Sequence, residues 1–208
     1  MVLGDPRKAV TRLAGAAAVA AWMAFGAATA SPPVRSVPQL DPLRYAGVWY
    51  EMARLPNSMQ ARCVADVTAA YRVMDDGSMT VVHRCLEADD HWRVIVGRAS
   101  PEAGDRSGAR LRVNFLPPWL RWLPMAHDRH WVVMVDDAYR VAVVSEPSRR
   151  HLWILSRTPQ LDLQTYDRVV DWLRAQSYPV DQLVPTLQRP QHRAMPFGSM
   201  GDEPPPTV

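Results

Sequence analysis

The 208-residue chain is 48% apolar with a formal net charge of +3, which suits one domain with tails and a sizeable core. Lys8 is the only lysine, and basic and acidic residues are interspersed. No cationic run is long enough to line a nucleic-acid groove, so no nucleic-acid partner is expected. No G-x-S-x-G, Walker loop or H-E-x-x-H occurs, so no motif assigns catalytic residues or an enzyme activity.

Arg7, Lys8 and Arg12 precede an apolar run from Leu13 to Ala28, and Ala28-Thr29-Ala30 closes it with small residues. A basic region, an apolar region and A-x-A predict a signal peptide over 1–30 and export to the periplasm or the medium. The run is short for a membrane span, and no cysteine lies near the cleavage site to take a lipid. Export places Cys63 and Cys85 where two cysteines usually pair. The disulfide would contribute about 3 kcal/mol; two buried free thiols are the alternative.

Residues 31–40 are Pro-rich and read as an extended leader. Asp41-Pro42-Leu43-Arg44-Tyr45 looks like a short helical turn. Short alternating or apolar segments then follow at about 47–54, 64–73, 79–86, 92–99, 109–116, 130–136, 139–145 and 151–157. Met74-Asp75-Asp76-Gly77-Ser78 between the second and third is a hairpin signal, because Gly tolerates positive φ. Eight strands with mostly tight connections predict an all-β fold, an antiparallel up-and-down barrel wide enough for one small ligand. After Pro159 the period becomes helical: Leu163, Tyr166, Val169, Val170 and Leu173 predict a helix over 162–177, capped by Asp162 and packed on the outside of the barrel. Leu183 to Leu187 reads as a last short strand. The composition of 189–208 predicts a disordered tail.

In such a barrel Trp49 on the first strand and Arg157 after the last meet at one end. The guanidinium would cover the indole, a contact worth about 0.5–2 kcal/mol. Three separated motifs then agree: Gly47-x-Trp49-Tyr50; Val135-Asp136-Asp137-Ala138-Tyr139-Arg140-Val141-Ala142; and Leu152-Trp153-Ile154-Leu155-Ser156-Arg157-Thr158-Pro159. Together, and followed by the helix, they resemble the lipocalin family over residues 41–188. The bacterial subgroup, similar to the outer-membrane lipoprotein type, resembles it most, although the lipobox cysteine of those members is absent. The resemblance implies a non-enzymatic calyx binding a hydrophobic small molecule, of the fatty acid or lysophospholipid class, and a role in cell-envelope lipid maintenance. It implies no cofactor.

With Trp49 and Arg157 as the structural floor, alternation sends Glu51, Ala53, Val67, Ala69, Tyr71, Val81, His83, Leu111, Val113, Phe115, His151 and Trp153 inward. On the sixth strand the resemblance favours His130, Val132 and Met134. This is the expected ligand-binding set, with Glu51, Tyr71, His83, His130 and His151 as candidates to orient a head group. The alternative is a haem, metal or catalytic site built on the inward histidines, although their spacing supports no metal ligand pair. The apolar loop Leu116 to Met125 contains Trp119 and Trp122 flanking Arg121. It reads as packed loop, as a lid, or as a peripheral membrane contact through the two Trp. The oligomeric state is not legible.

Overall fold

The computed structural model describes residues 31–120 and 127–190. The expected signal peptide over 1–30, Trp122, and the tail beyond 190 lie outside the described residues. Asp41 caps α1 (Pro42–Tyr45), its Oδ1 accepting from the N–H groups of Leu43 and Arg44. Strands β1 (Gly47–Arg54), β2 (Cys63–Val73), β3 (Met79–Glu87), β4 (Trp92–Pro101), β5 (Arg110–Asn114), β6 (Asp128–Val135), β7 (Val141–Ser145) and β8 (Leu152–Ser156) each pair antiparallel with the next. Pairing of β1 with both β8 and β2 closes the barrel. Strand β7 begins at Val141 rather than 139 because the preceding residues form the turn. There Tyr139 is left-handed at φ 55, and Asp136 Oδ1 accepts from the N–H groups of Arg140 and Val141.

Alternation gives the barrel two apolar faces. Inside, Trp49, Ala69, Tyr71, Val81, Leu111, Val113, Val132, Val144 and Leu155 form one buried cluster. Outside, Val133, Val143, Leu152 and Ile154 pack against Val169 and Leu173 of α2 (Leu163–Ala175), whose N-cap Asp162 accepts from Thr165 N–H at 2.8 Å. Two residues expected to face inward, Ala53 and Met134, face outward. The ladder shifts between Glu51 and Ala53, and between Val132 and Met134. A bulge adds one residue and reverses the alternation beyond it. Ala53 therefore pairs with Ile154, and Met134 with Val143; both pack in the outer cluster under α2 and not in the interior.

One end of the barrel is sealed. Trp49 is fully buried, and the Arg157 guanidinium lies 3.8 Å from its ring centroid. Arg157 donates to the carbonyls of Val48, Arg44, Tyr45 and Tyr139, while Trp49 Nε1 donates to Tyr45 O at 2.8 Å. Gly47 explains the first residue of the G-x-W pattern: its φ is +96, and a Cβ there would stand 3.2 Å from Arg157 Nη1. The leader adds a cover. Leu40 is buried against the interior cluster, and its N–H donates to Ser107 O, as Val37 N–H does to Val132 O.

At the other end β1 and β2 separate beyond Tyr50 and Thr68. The C-terminal segment fills that seam. Its two-residue strand β9 (Val184–Pro185) pairs with Ala53 and Arg54, and Leu187 bridges to Ala65. Gln188 Nε2 donates to Glu51 O and Val67 O. The expected tail starts at 189, but Arg189 still belongs to the fold. Its backbone N–H and Nε donate to the two carboxylate oxygens of Asp66, a residue only 2% exposed. Removing the Arg189 side chain takes a cation and the Nε hydrogen bond from this buried carboxylate. Arg189→Ala should therefore lower stability by about 1–3 kcal/mol, discounted because Arg189 is partly exposed. Urea unfolding with an unshifted midpoint would show that the seam does not depend on the pair.

Candidate functional site

Behind the floor lies a narrow interior cavity of about 30 Å³, below the about 300–1,000 Å³ of small-molecule sites, so a ligand there would have to displace wall side chains. Val67, Ala69, Val81, Phe115, Val144 and Leu155 supply its apolar wall; Glu51, Met59, Thr68, Tyr71, His83, His130 and Trp153 complete it. Phe115 reaches the cavity because Gly97 leaves it room: a Cβ at Gly97 would come within 2.6 Å of the ring. Leu111, Val113 and Val132 point inward but are packed into the core beside the cavity. Tyr71 faces the floor with its ring 5.2 Å from that of Tyr45, and burial pushes its phenol up to about 12.

A wider space of about 310 Å³ adjoins the cavity at the mouth. Its walls come from the β1–β2 loop (Asn57, Ser58, Met59), the start of β6 (His127 to His130) and the β7–β8 connection (Glu146, Arg150, His151), with Trp153 at its base. His151 lies here, its ring 6.1 Å from that of Trp153.

Between the two spaces is a polar network that sequence reasoning missed. Gln60 is fully buried. Its Oε1 accepts from Trp153 Nε1 at 2.7 Å and from Asn57 Nδ2 at 2.8 Å; its Nε2 donates to Glu51 Oε2 at 2.6 Å. These partners fix the amide orientation, so His83 Nε2, 3.2 Å from Gln60 Nε2, must accept and carry its proton on Nδ1. Burial lowers the His83 pKa, as do Arg93 and Arg54, with Glu51 opposing. Burial, helped by His83 and His151, pushes His130 down to about 4. Both imidazoles are neutral at pH 7. Glu51 Oε1 accepts from Arg54 Nη1 at 2.8 Å and Thr186 Oγ1 at 2.5 Å. Both carboxylate oxygens of Glu51 are thus engaged by the protein itself, so it ties the β1–β2 loop to the C-terminal segment. The sequence signal for Gln60 was slight: Asn57 opens a 3-10 turn over Ser58–Gln60, its side chain accepting from Gln60 N–H.

Cys63 and Cys85 form a disulfide, Cα–Cα 5.6 Å, tying the mouth end of β2 to β3 beside Val67. Trp119 is 72% exposed on the β5–β6 connection, which the antiparallel order places at the mouth end. Among the described residues no group of three or more His, Cys, Asp or Glu is arranged to hold a metal ion, and no helix is long and apolar enough to cross a membrane.

A closed eight-stranded barrel, sealed at one end and holding an apolar cavity beneath a polar mouth, defines the class of calyx-shaped binding proteins. The chain belongs to the lipocalin family: the Lipocalin-like domain family matches residues 40–188. Outer membrane lipoprotein Blc of Escherichia coli K12 is 36% identical over 149 residues, covering 70% of this chain and 79% of the relative. Temperature-induced lipocalin-1 of Arabidopsis thaliana is 33% identical over 162 residues, covering 76% and 86%. Among solved structures, insecticyanin of the tobacco hornworm Manduca sexta superposes with a TM-score of 0.58 at 18% identity, covering 77% of this chain and 87% of that one. That likeness shows the fold alone. Lipocalins are in general carriers of small hydrophobic ligands rather than enzymes.

Proposed function

We propose that this protein carries a hydrophobic small molecule of the fatty acid or lysophospholipid class in the barrel interior, as an exported protein that serves cell-envelope lipid maintenance. The observation behind this reading is the cavity itself. Val67, Ala69, Val81, Phe115, Val144 and Leu155 present an apolar wall, and the Trp49–Arg157 floor closes one end. Burial of an acyl chain there would release apolar surface from water on both partners. The similarity to bacterial outer membrane lipoproteins supports the envelope, and the basic-apolar-AxA start of the chain supports export. Exposed Trp119 supports a peripheral contact with a membrane surface at the mouth end.

The test is a displacement titration of a fluorescent fatty acid from the wild type and from Ala69→Phe. Ala69 faces the cavity, and a ring there would fill it at an overpacking cost of about 1–3 kcal/mol. Wild type should bind and release the probe to fatty acid or lysophospholipid, while the folded variant should bind at least tenfold more weakly. Equal binding by both proteins would place the ligand outside the barrel.

A further inference from the structure

The interior cavity and the mouth space share Met59, His130 and Trp153 as lining residues. Those three side chains therefore stand between the two spaces, as the constriction that separates them. Inward of it the wall is mostly apolar; outward it is polar and charged. His130 stands on the boundary with its ring 4.9 Å from that of Trp153. Its Nε2 is buried and has no hydrogen-bond partner, a condition that buried polar atoms rarely show without a missing ligand or water. Two nearby donors are already used. Trp153 Nε1 is used by Gln60 Oε1, and Gln60 Nε2 is used by Glu51 and His83.

Outside the constriction two arginines stand against two carboxylates, so the formal charge balances. Arg129, Arg150, His127 and His151 line the mouth space against Asp128 and Glu146. Of the two carboxylates, Glu146 is occupied by its own turn, accepting from the N–H groups of Ser148, Arg150 and His151 and from Ser148 Oγ. Arg129 also faces Glu102, at 3.6 Å.

We propose that the mouth space is a head-group compartment for a single-chain amphiphile with an anionic oxygen head, carboxylate or phosphate. The tail enters first, and His130 Nε2–H donates the anchoring hydrogen bond at the constriction. This rests on the reading of the interior as an acyl-chain site and adds the chemistry of the head and its position. A neutral imidazole suits the role, since it donates to an anion without placing a second charge beside the apolar wall.

Calorimetric titration with dodecanoate, dodecyl phosphate and dodecanol holds the tail constant and changes only the head. At pH 7.4 at least one of the two anions should bind about tenfold or more tighter than the alcohol, and the tighter anion identifies which head the compartment takes. His130→Phe should remove that advantage, so that anion and alcohol bind alike. His130→Gln, which restores a donor, should recover part of it, and near-ultraviolet circular dichroism checks that both variants fold. Alcohol binding as tightly as both anions in the wild type would overturn the head-group compartment while leaving the acyl-chain site standing. An anion advantage that survives in folded His130→Phe would overturn His130 as the anchor. Failure of all three ligands to bind would sink the acyl-chain reading and this inference together.

Discussion

Trp49→Ala should destabilise the protein by about 3–5 kcal/mol, the usual cost of truncating a fully buried indole, with a further loss from the vacated Arg157 contact. The indole is the centre of the sealed end. It touches the guanidinium of Arg157, lies 5.2 Å from the Tyr45 ring and donates to Tyr45 O. Arg157→Ala should cost about 3 kcal/mol, because carbonyls of β1, α1 and the β6–β7 turn lose their donor at once. Arg157→Lys should recover little of this. One ammonium cannot span those carbonyls and also lie flat on the ring. Guanidinium unfolding measures all three, and a loss below about 1 kcal/mol for Trp49→Ala would mean that the floor is not what closes the barrel.

The second large effect is acid sensitivity from the buried histidines. Unfolded histidine titrates near 6.5, whereas His130 is held down to about 4 by burial with His83 and His151 nearby. Between those values the unfolded chain binds the extra proton and the folded one does not. Stability from this source is therefore complete above about pH 6.5 and declines as the pH falls toward 4. His130 alone contributes about 3 kcal/mol at neutral pH by this linkage. His83, shifted in the same direction, adds to it; its protonation would also set an N–H against Gln60 Nε2 and disrupt the link to Glu51 and Trp153. Urea midpoints taken from pH 7 to pH 4 should fall steeply in the wild type and less steeply in His130→Phe. Parallel slopes would show that His130 does not titrate in this range.

The parts of this molecule that follow a short period were legible in sequence. Trp49, Glu51, Ala69, Tyr71 and Val81 occupy inward positions because nothing breaks the alternation along those stretches. The pairing of Trp49 with Arg157 was legible because the order of elements brings the first strand beside the last. Ala53 and Met134 were misplaced because a bulge is a local backbone choice that leaves the apolar pattern unchanged. Gln60 was invisible for a different reason: it is a polar residue on a loop, and its burial depends on Glu51, Trp153 and His83 converging from three other strands. Arg189 was assigned to the tail from composition alone, and its partner Asp66 sits at a left-handed backbone position, φ 53, that the apolar pattern does not signal.

The cavity makes one demand above the rest: an apolar chamber behind a bare imidazole nitrogen should hold an amphiphile. Native mass spectrometry of the protein, purified from cells without detergent, addresses this directly. The expected spectrum shows the protein with one bound amphiphile, lost on denaturation and identified by extraction as carrying a single acyl chain with an acidic head. A spectrum of bare protein that stays bare after incubation with fatty acid and with lysophospholipid would contradict the account.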